Sequence, residues 1–153
     1  MQRLSKALVV SLIAAGAVLA SAATLYDESA NAWQLIATAL AEASRSNRNV
    51  VLDFGANWCY DCHALEAQME KPDLAPLIKR DFVVVKIDVG RFNKNLDLAR
   101  KYHVPLHYGI PALAVLNPHG RLLYAQDHGQ FEDARHLAAP AFKEFFEKWK
   151  PRP

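Results

Sequence analysis

Cysteine is almost missing from this chain: 153 residues carry two, Cys59 and Cys62, three apart. A pair so close cannot staple distant parts of a chain, so a framework built on disulfides is excluded. Internal repeats, low-complexity stretches and linkers are also lacking, and the length suits one compact domain. No basic run or basic–aromatic stripe occurs. The formal charge is +2, and Arg3 and Lys6 supply the whole surplus. Without residues 1–22 the chain holds 16 Lys+Arg against 16 Asp+Glu. Phosphate binding requires a concentrated positive field, so nucleic acid is not an expected partner. Intrinsic disorder is excluded in turn, because 52% of the residues are hydrophobic.

What is present begins with an export pattern. Arg3 and Lys6 precede an apolar run at 7–20, and Ala20-Ser21-Ala22 then offers small residues at cleavage spacing. The expectation is a signal peptide over residues 1–22, cleaved after Ala22, and a folded domain over 23–153 in the periplasm. The alternative is an uncleaved anchor, since 7–25 is long enough to span a bilayer.

Hydrophobic periodicity orders the rest. Trp33, Ile36, Ala37 and Leu40 give a helix over about 28–45, with Asp27 or Ser29 as its cap. Residues 50–54 (VVLDF) and 82–88 (FVVVKID) are short β-branched runs and read as buried strands. A helix from Cys59 to about Met69 lies between them, with a short one at 73–80. A polar helix follows at about 94–102. Two strands, 112–117 and 121–125, flank a Pro118–Gly120 turn. The last helix carries Phe142, Phe145, Phe146 and Trp149 on one face, with Pro140 at its start or at a kink. This order predicts an α/β fold, a central mixed sheet flanked by helices.

The segment Phe54-Gly55-Ala56-Asn57-Trp58-Cys59-Tyr60-Asp61-Cys62-His63 follows a buried strand and opens a helix. Free N–H groups and the positive dipole end favour a thiolate at Cys59. That thiolate attacks a substrate disulfide; Cys62, nearly one turn on and facing inward, then attacks the Cys59 sulfur and releases the product. The redox-active pair itself is the only expected cofactor.

The W-C-x-x-C motif after an apolar strand resembles the thioredoxin superfamily over residues 28–149, and within it the periplasmic thiol:disulfide interchange proteins. The resemblance implies a thioredoxin fold and a protein-disulfide reductase. Its partners would be protein thiols and disulfides, with an upstream membrane or periplasmic electron donor, and it would be a monomer. Ile110-Pro111 resembles the family's cis-proline, which faces the sulfurs. Gly129 resembles its glycine near the same groove. Asp53, flanked by apolar neighbours, matches the buried acid that exchanges a proton with the second cysteine. Trp58 is expected as a surface aromatic shielding the site, and His63 as a helix-surface residue that tunes Cys59. Three departures stand out. Residues 102–111 are about three longer than in common thioredoxins, with Leu106-His107-Tyr108 beside the groove as a partner-selecting loop. A lysine often buried on the second core strand is replaced by Val84. Tyr60 and Asp61 match neither the Gly-Pro of thioredoxin nor the Pro-His of strong oxidants. Asp61 opposes the Cys59 thiolate, so the pair is expected to work as a reductant.

Two other chemistries fit the same residues. C-Y-D-C-H is also a C-x-x-C-H haem-attachment string, though Met69 is too close to His63 to be the second axial ligand, which leaves a bis-His site. Alternatively Cys59, Cys62 and a histidine from the 103–107 loop would carry a soft ion such as Cu(I).

Overall fold

The computed structural model describes residues 24–152. The expected export signal lies outside the described residues. Within them, four strands form one mixed sheet in the order β2-β1-β3-β4.

The chain enters through a short turn and forms α1 (Ala32–Ser46). Strand β1 (Asn49–Gly55) is buried along its whole length. Helices α2 (Tyr60–Met69) and α3 (Ala75–Asp81) lead to β2 (Phe82–Asp88), parallel to β1 from Asn49↔Phe82 to Gly55↔Asp88. Helix α4 (Leu96–Lys101) and a 3-10 turn at Leu106–Tyr108 precede β3 (Ala112–Leu116). That strand runs antiparallel to β1, and the hairpin partner β4 (Leu122–Ala125) closes the sheet. Helix α5 (Ala139–Trp149) ends the fold, with proline in its first turn. The backbone N–H at that position has no partner in any helix, so proline, which lacks one, costs nothing.

Both sheet faces are covered, which is why β3 reads as an unbroken apolar run and β1 as one interrupted only by Asp53 between Val50 and Phe54. Val50, Leu52, Phe54, Ala112 and Ala114 pack against Ile36, Ala39 and Ala43 of α1 and Leu98 of α4. Val51, Leu113 and Val115 meet Leu65 and Met69 of α2, Leu77 of α3 and the Phe142–Phe145–Phe146 face of α5.

Helix α1 starts later than expected. Asp27 Oδ1 accepts from the Ser29 N–H and hydroxyl in a turn of its own, and Asn31 caps the helix by accepting from Gln34 N–H. A short polar side chain that can close a turn competes with helix capping. Trp33 is also not a core residue. It is 47% exposed, donates to Asp97 Oδ2 at 2.9 Å and lies under the Lys101 ammonium.

Candidate active site

Strand β1 delivers the chain to Gly55, and the loop 56–58 turns it into α2. Cys59 is the residue that caps this helix: extended at φ −85°, ψ 109°, with its sulfur accepting from the Cys62 N–H at 3.1 Å. The two cysteines form a disulfide, with their Cα atoms 5.2 Å apart. Cys62 is fully buried and Cys59 nearly so at 5%. Cys59 is therefore less exposed than a helix start suggests, and is reached through a groove of about 500 Å³.

The groove is rimmed by Trp58, Tyr60, Phe92 and Tyr108, all more than 40% exposed. Ile110 forms its floor. The Ile110–Pro111 peptide bond is cis, as the resemblance implied, and Cys59 Sγ lies 3.4 Å from the Ile110 carbonyl oxygen. Trp58 is a surface aromatic beside the sulfurs, but it is held there: its Nε1 donates to the Gly90 carbonyl at 2.8 Å, its ring meets Phe92 edge-on, and Arg91 sits over it. The extra residues Leu106–Tyr108 form the 3-10 turn beside this rim, and His107 packs on Tyr108. Gly129 does not line the groove. It packs against Glu132, which does.

Asp53 lies on the sheet face that α2 covers and is fully buried. The expectation that this site lacks its lysine is overturned. The parallel register sets Lys86, two residues past Val84, opposite Asp53, and Lys86 Nζ donates to Asp53 Oδ2 at 2.7 Å. Side chains two apart share a face, so a shift of two keeps the lysine on the same side of the sheet. Lys86 also pairs with Glu66 of α2. Burial works to lower the Lys86 pKa, but the Asp53 and Glu66 carboxylates outweigh it and hold it above the usual lysine value. The other Asp53 oxygen accepts from the Tyr26 hydroxyl at 3.0 Å.

Asp61, beside Cys59 on the rim, is not an uncompensated charge either. Its Oδ1 accepts from the backbone N–H of Arg135 at 3.0 Å and from its guanidinium at 3.1 Å. Partial burial raises the Asp61 pKa, but these two hydrogen bonds and the Arg135 charge outweigh it and hold the carboxyl below its usual range. His63 is exposed, and its Nε2 lies 2.8 Å from the Asn57 carbonyl, back onto the loop that precedes Cys59. Glu132 adds a second carboxylate to the groove, and its buried Oε2 has no hydrogen-bond partner among the described residues.

Sequence reasoning missed Tyr26, Lys86, Glu66 and Arg135. Lys86 carried a signal, a lone charge inside an apolar strand. The others are joined to the site by contacts 20 to 74 residues away in sequence, which no local pattern reveals. The disulfide engages both sulfurs that haem attachment or copper binding would use. Among the described residues no three His, Cys, Asp or Glu side chains are grouped as a metal site.

No curated protein sequence matches the chain. A Thioredoxin-like family model matches residues 32–118. Among solved structures, the chain is similar to a disulphide isomerase from Xylella fastidiosa Temecula1, at 40% identity over 84% of this chain and 98% of that one, with a TM-score of 0.79. Two more distant structures share the fold. The DsbD C-terminal domain of Neisseria meningitidis is 24% identical over 79% of this chain and 98% of that one, with a TM-score of 0.58. A thioredoxin from Thermus thermophilus is 22% identical over 73% and 81%, with a TM-score of 0.55. The mixed four-stranded sheet agrees with the similar solved structures, and with the family model over residues 32–118 it follows that the chain belongs to the thioredoxin-like family.

Proposed function

We propose that this protein is a thiol–disulfide oxidoreductase that exchanges disulfides with protein partners and works as a reductant. The observation that carries the reading is the disulfide itself, set at a helix N-terminus with Cys59 open to a groove and Cys62 sealed beneath it. In the reduced form Cys59 attacks the partner disulfide, and Cys62 resolves the mixed disulfide. The pair serves as the whole redox centre, without a bound cofactor or metal. The direction follows from charge. The helix N-terminus stabilises a thiolate by roughly 0.3–1 kcal/mol. The rim adds no net positive charge, because Arg135 is matched by Asp61 and Glu132 is a further acid. Strong oxidants of this kind depend on a stabilised reduced form. The similar structure named as a disulphide isomerase supports the class of reaction. Export to the periplasm, a cleaved signal, a monomeric state and an upstream membrane or periplasmic donor complete the proposal.

The test is a pair of substitutions. Cys59→Ser abolishes insulin reduction, whereas Cys62→Ser traps mixed disulfides with partners. In a parallel arm, replacing Leu106–Tyr108 with a short Gly-containing turn slows reaction with protein substrates and spares a small disulfide. Alkylation of the reduced protein that labels Cys62 before Cys59 would overturn the assignment, and equal losses on both substrates would remove the role of the loop.

A further inference from the structure

Tyr26 belongs to the segment before α1, outside every regular element, yet it is fully buried. Asn57, two residues before Cys59, holds it in place. The Tyr26 N–H donates to Asn57 Oδ1 at 2.9 Å, and Asn57 Nδ2 donates back to the Tyr26 carbonyl at 2.8 Å. The ring then runs over Gly55. A Cβ at that glycine would collide with the Tyr26 hydroxyl and lie 2.9 Å from Cys62 Sγ, so hydroxyl and sulfur border the same small gap. The hydroxyl donates to Asp53 Oδ1, which has no other partner among the described residues. Lys86 serves only Oδ2 and is shared with Glu66.

We propose that Tyr26 is a positioning residue of the disulfide site, holding the Asp53 carboxylate oriented so that it accepts the Cys62 proton during resolution. The inference rests on the oxidoreductase reading and deepens it. In that step the Cys62 thiol gives its proton to Asp53, and the resulting thiolate attacks Cys59 Sγ. The Cys59–substrate S–S bond breaks, its electron pair leaves on the substrate sulfur, and that sulfur is protonated. The substrate is reduced and the Cys59–Cys62 pair is oxidised. Tyr26 moves no electrons; it supplies the hydrogen bond that a buried carboxylate loses most by lacking. Burial, followed by the Asp53 charge, keeps the phenol far above its ordinary pKa, so it remains a donor across the working range. The charged and titratable groups facing this pair are Lys86 on β2, which bonds Asp53 and is shared with Glu66 of α2, Cys62 of α2 beside the Tyr26 hydroxyl, and Asp88 at the end of β2, whose charge reaches Tyr26 and which Lys94 from the following loop pairs. Strand β3 opposes Asp53 with Leu113, which does not titrate.

The experiment measures the lifetime of the Cys59-linked mixed disulfide with a disulfide peptide, by acid quench and mass spectrometry, from pH 5 to 9. Tyr26→Phe lengthens that lifetime about tenfold on the acid side, the scale of a hydrogen bond to a charged group, and converges with wild type at alkaline pH, where hydroxide removes the Cys62 proton without Asp53. The rate at which iodoacetamide alkylates Cys59 stays unchanged. Lifetimes that superimpose on wild type at every pH, or an equal shift in Cys59 alkylation, overturn the role of Tyr26. A wild-type protein that forms no mixed disulfide at all refutes the oxidoreductase reading instead. Should Tyr26→Phe not fold, the reduced wild-type protein carries the test by carbon NMR. The Tyr26 Cζ and Asp53 Cγ resonances then move through one common pH transition, and independent movement overturns the proposal.

Discussion

Asp53 and Asp61 flank one disulfide and are built differently. Asp53 stands on the Cys62 side, fully buried, with Lys86 on one oxygen and Tyr26 on the other. Asp61 stands on the Cys59 side at the groove rim, paired with a half-exposed arginine. The first pair was assembled by the sheet: register put a partly buried lysine opposite an aspartate that has no water to fall back on. The second was assembled by a loop that brings residue 135 across to α2. A buried charge whose partner is removed keeps its full desolvation cost, while an exposed one is rehydrated. The inner acid is therefore bound up with the integrity of the fold, and the outer acid with the electrostatics of the sulfur.

The comparison breaks most easily at Lys86. Lys86→Met leaves Asp53 buried without its countercharge and is expected to cost about 3–5 kcal/mol of stability. Urea unfolding of the oxidised protein measures it. Arg135→Met should barely move the same midpoint, and equal losses for the two variants would erase the distinction.

A smaller effect sharpens the outer side. Asp61→His removes a negative charge beside Cys59 and should raise the reduction potential, on the order of 30 mV. Arg135→Met exposes that charge and should lower it by less. Equilibration with glutathione buffers reads both. A potential that ignores both changes, or moves the same way in both, contradicts the electrostatic account of direction.

The smallest effect is a dependence on pH. The folded Asp61 carboxyl lies below its ordinary value of 3.8. Its contribution is therefore present above that value and is lost as pH falls through the lower, folded one. Whatever difference in urea midpoint separates wild type from Arg135→Met should close as the solution is acidified below about pH 4. A gap that widens there would mean Arg135 acts through something other than Asp61.

Local chemistry was readable without a structure wherever the residues that matter are neighbours in the chain. The strand–loop–helix around Cys59, the apolar runs of β1, β2 and β3, the hairpin turn with Gly120 at φ +81° and the Ile110-Pro111 step all rest on short-range rules. The start of α1 falls at neither expected cap, Asp27 or Ser29, because those two close a turn on each other and leave Asn31 to cap the helix. The expected replacement of the strand lysine by Val84 fails because a sequence shows that a strand alternates but not which partner each residue meets, and the register sets Lys86 opposite Asp53. A slip of one residue would have turned the lysine to the other face.

From the sequence alone came the fold class, through the order of its apolar runs, and the two sulfurs, whose spacing after a buried strand sets them at a helix start within a few residues. Tertiary structure decided which partners Asp53 and Asp61 meet beside the sulfurs. Lys86 reaches Asp53 through strand register, Arg135 reaches Asp61 across 74 residues, and Tyr26 reaches Asp53 from before the first helix. Coulomb and hydrogen-bond energies depend on distance in space, and distance along the chain does not determine it.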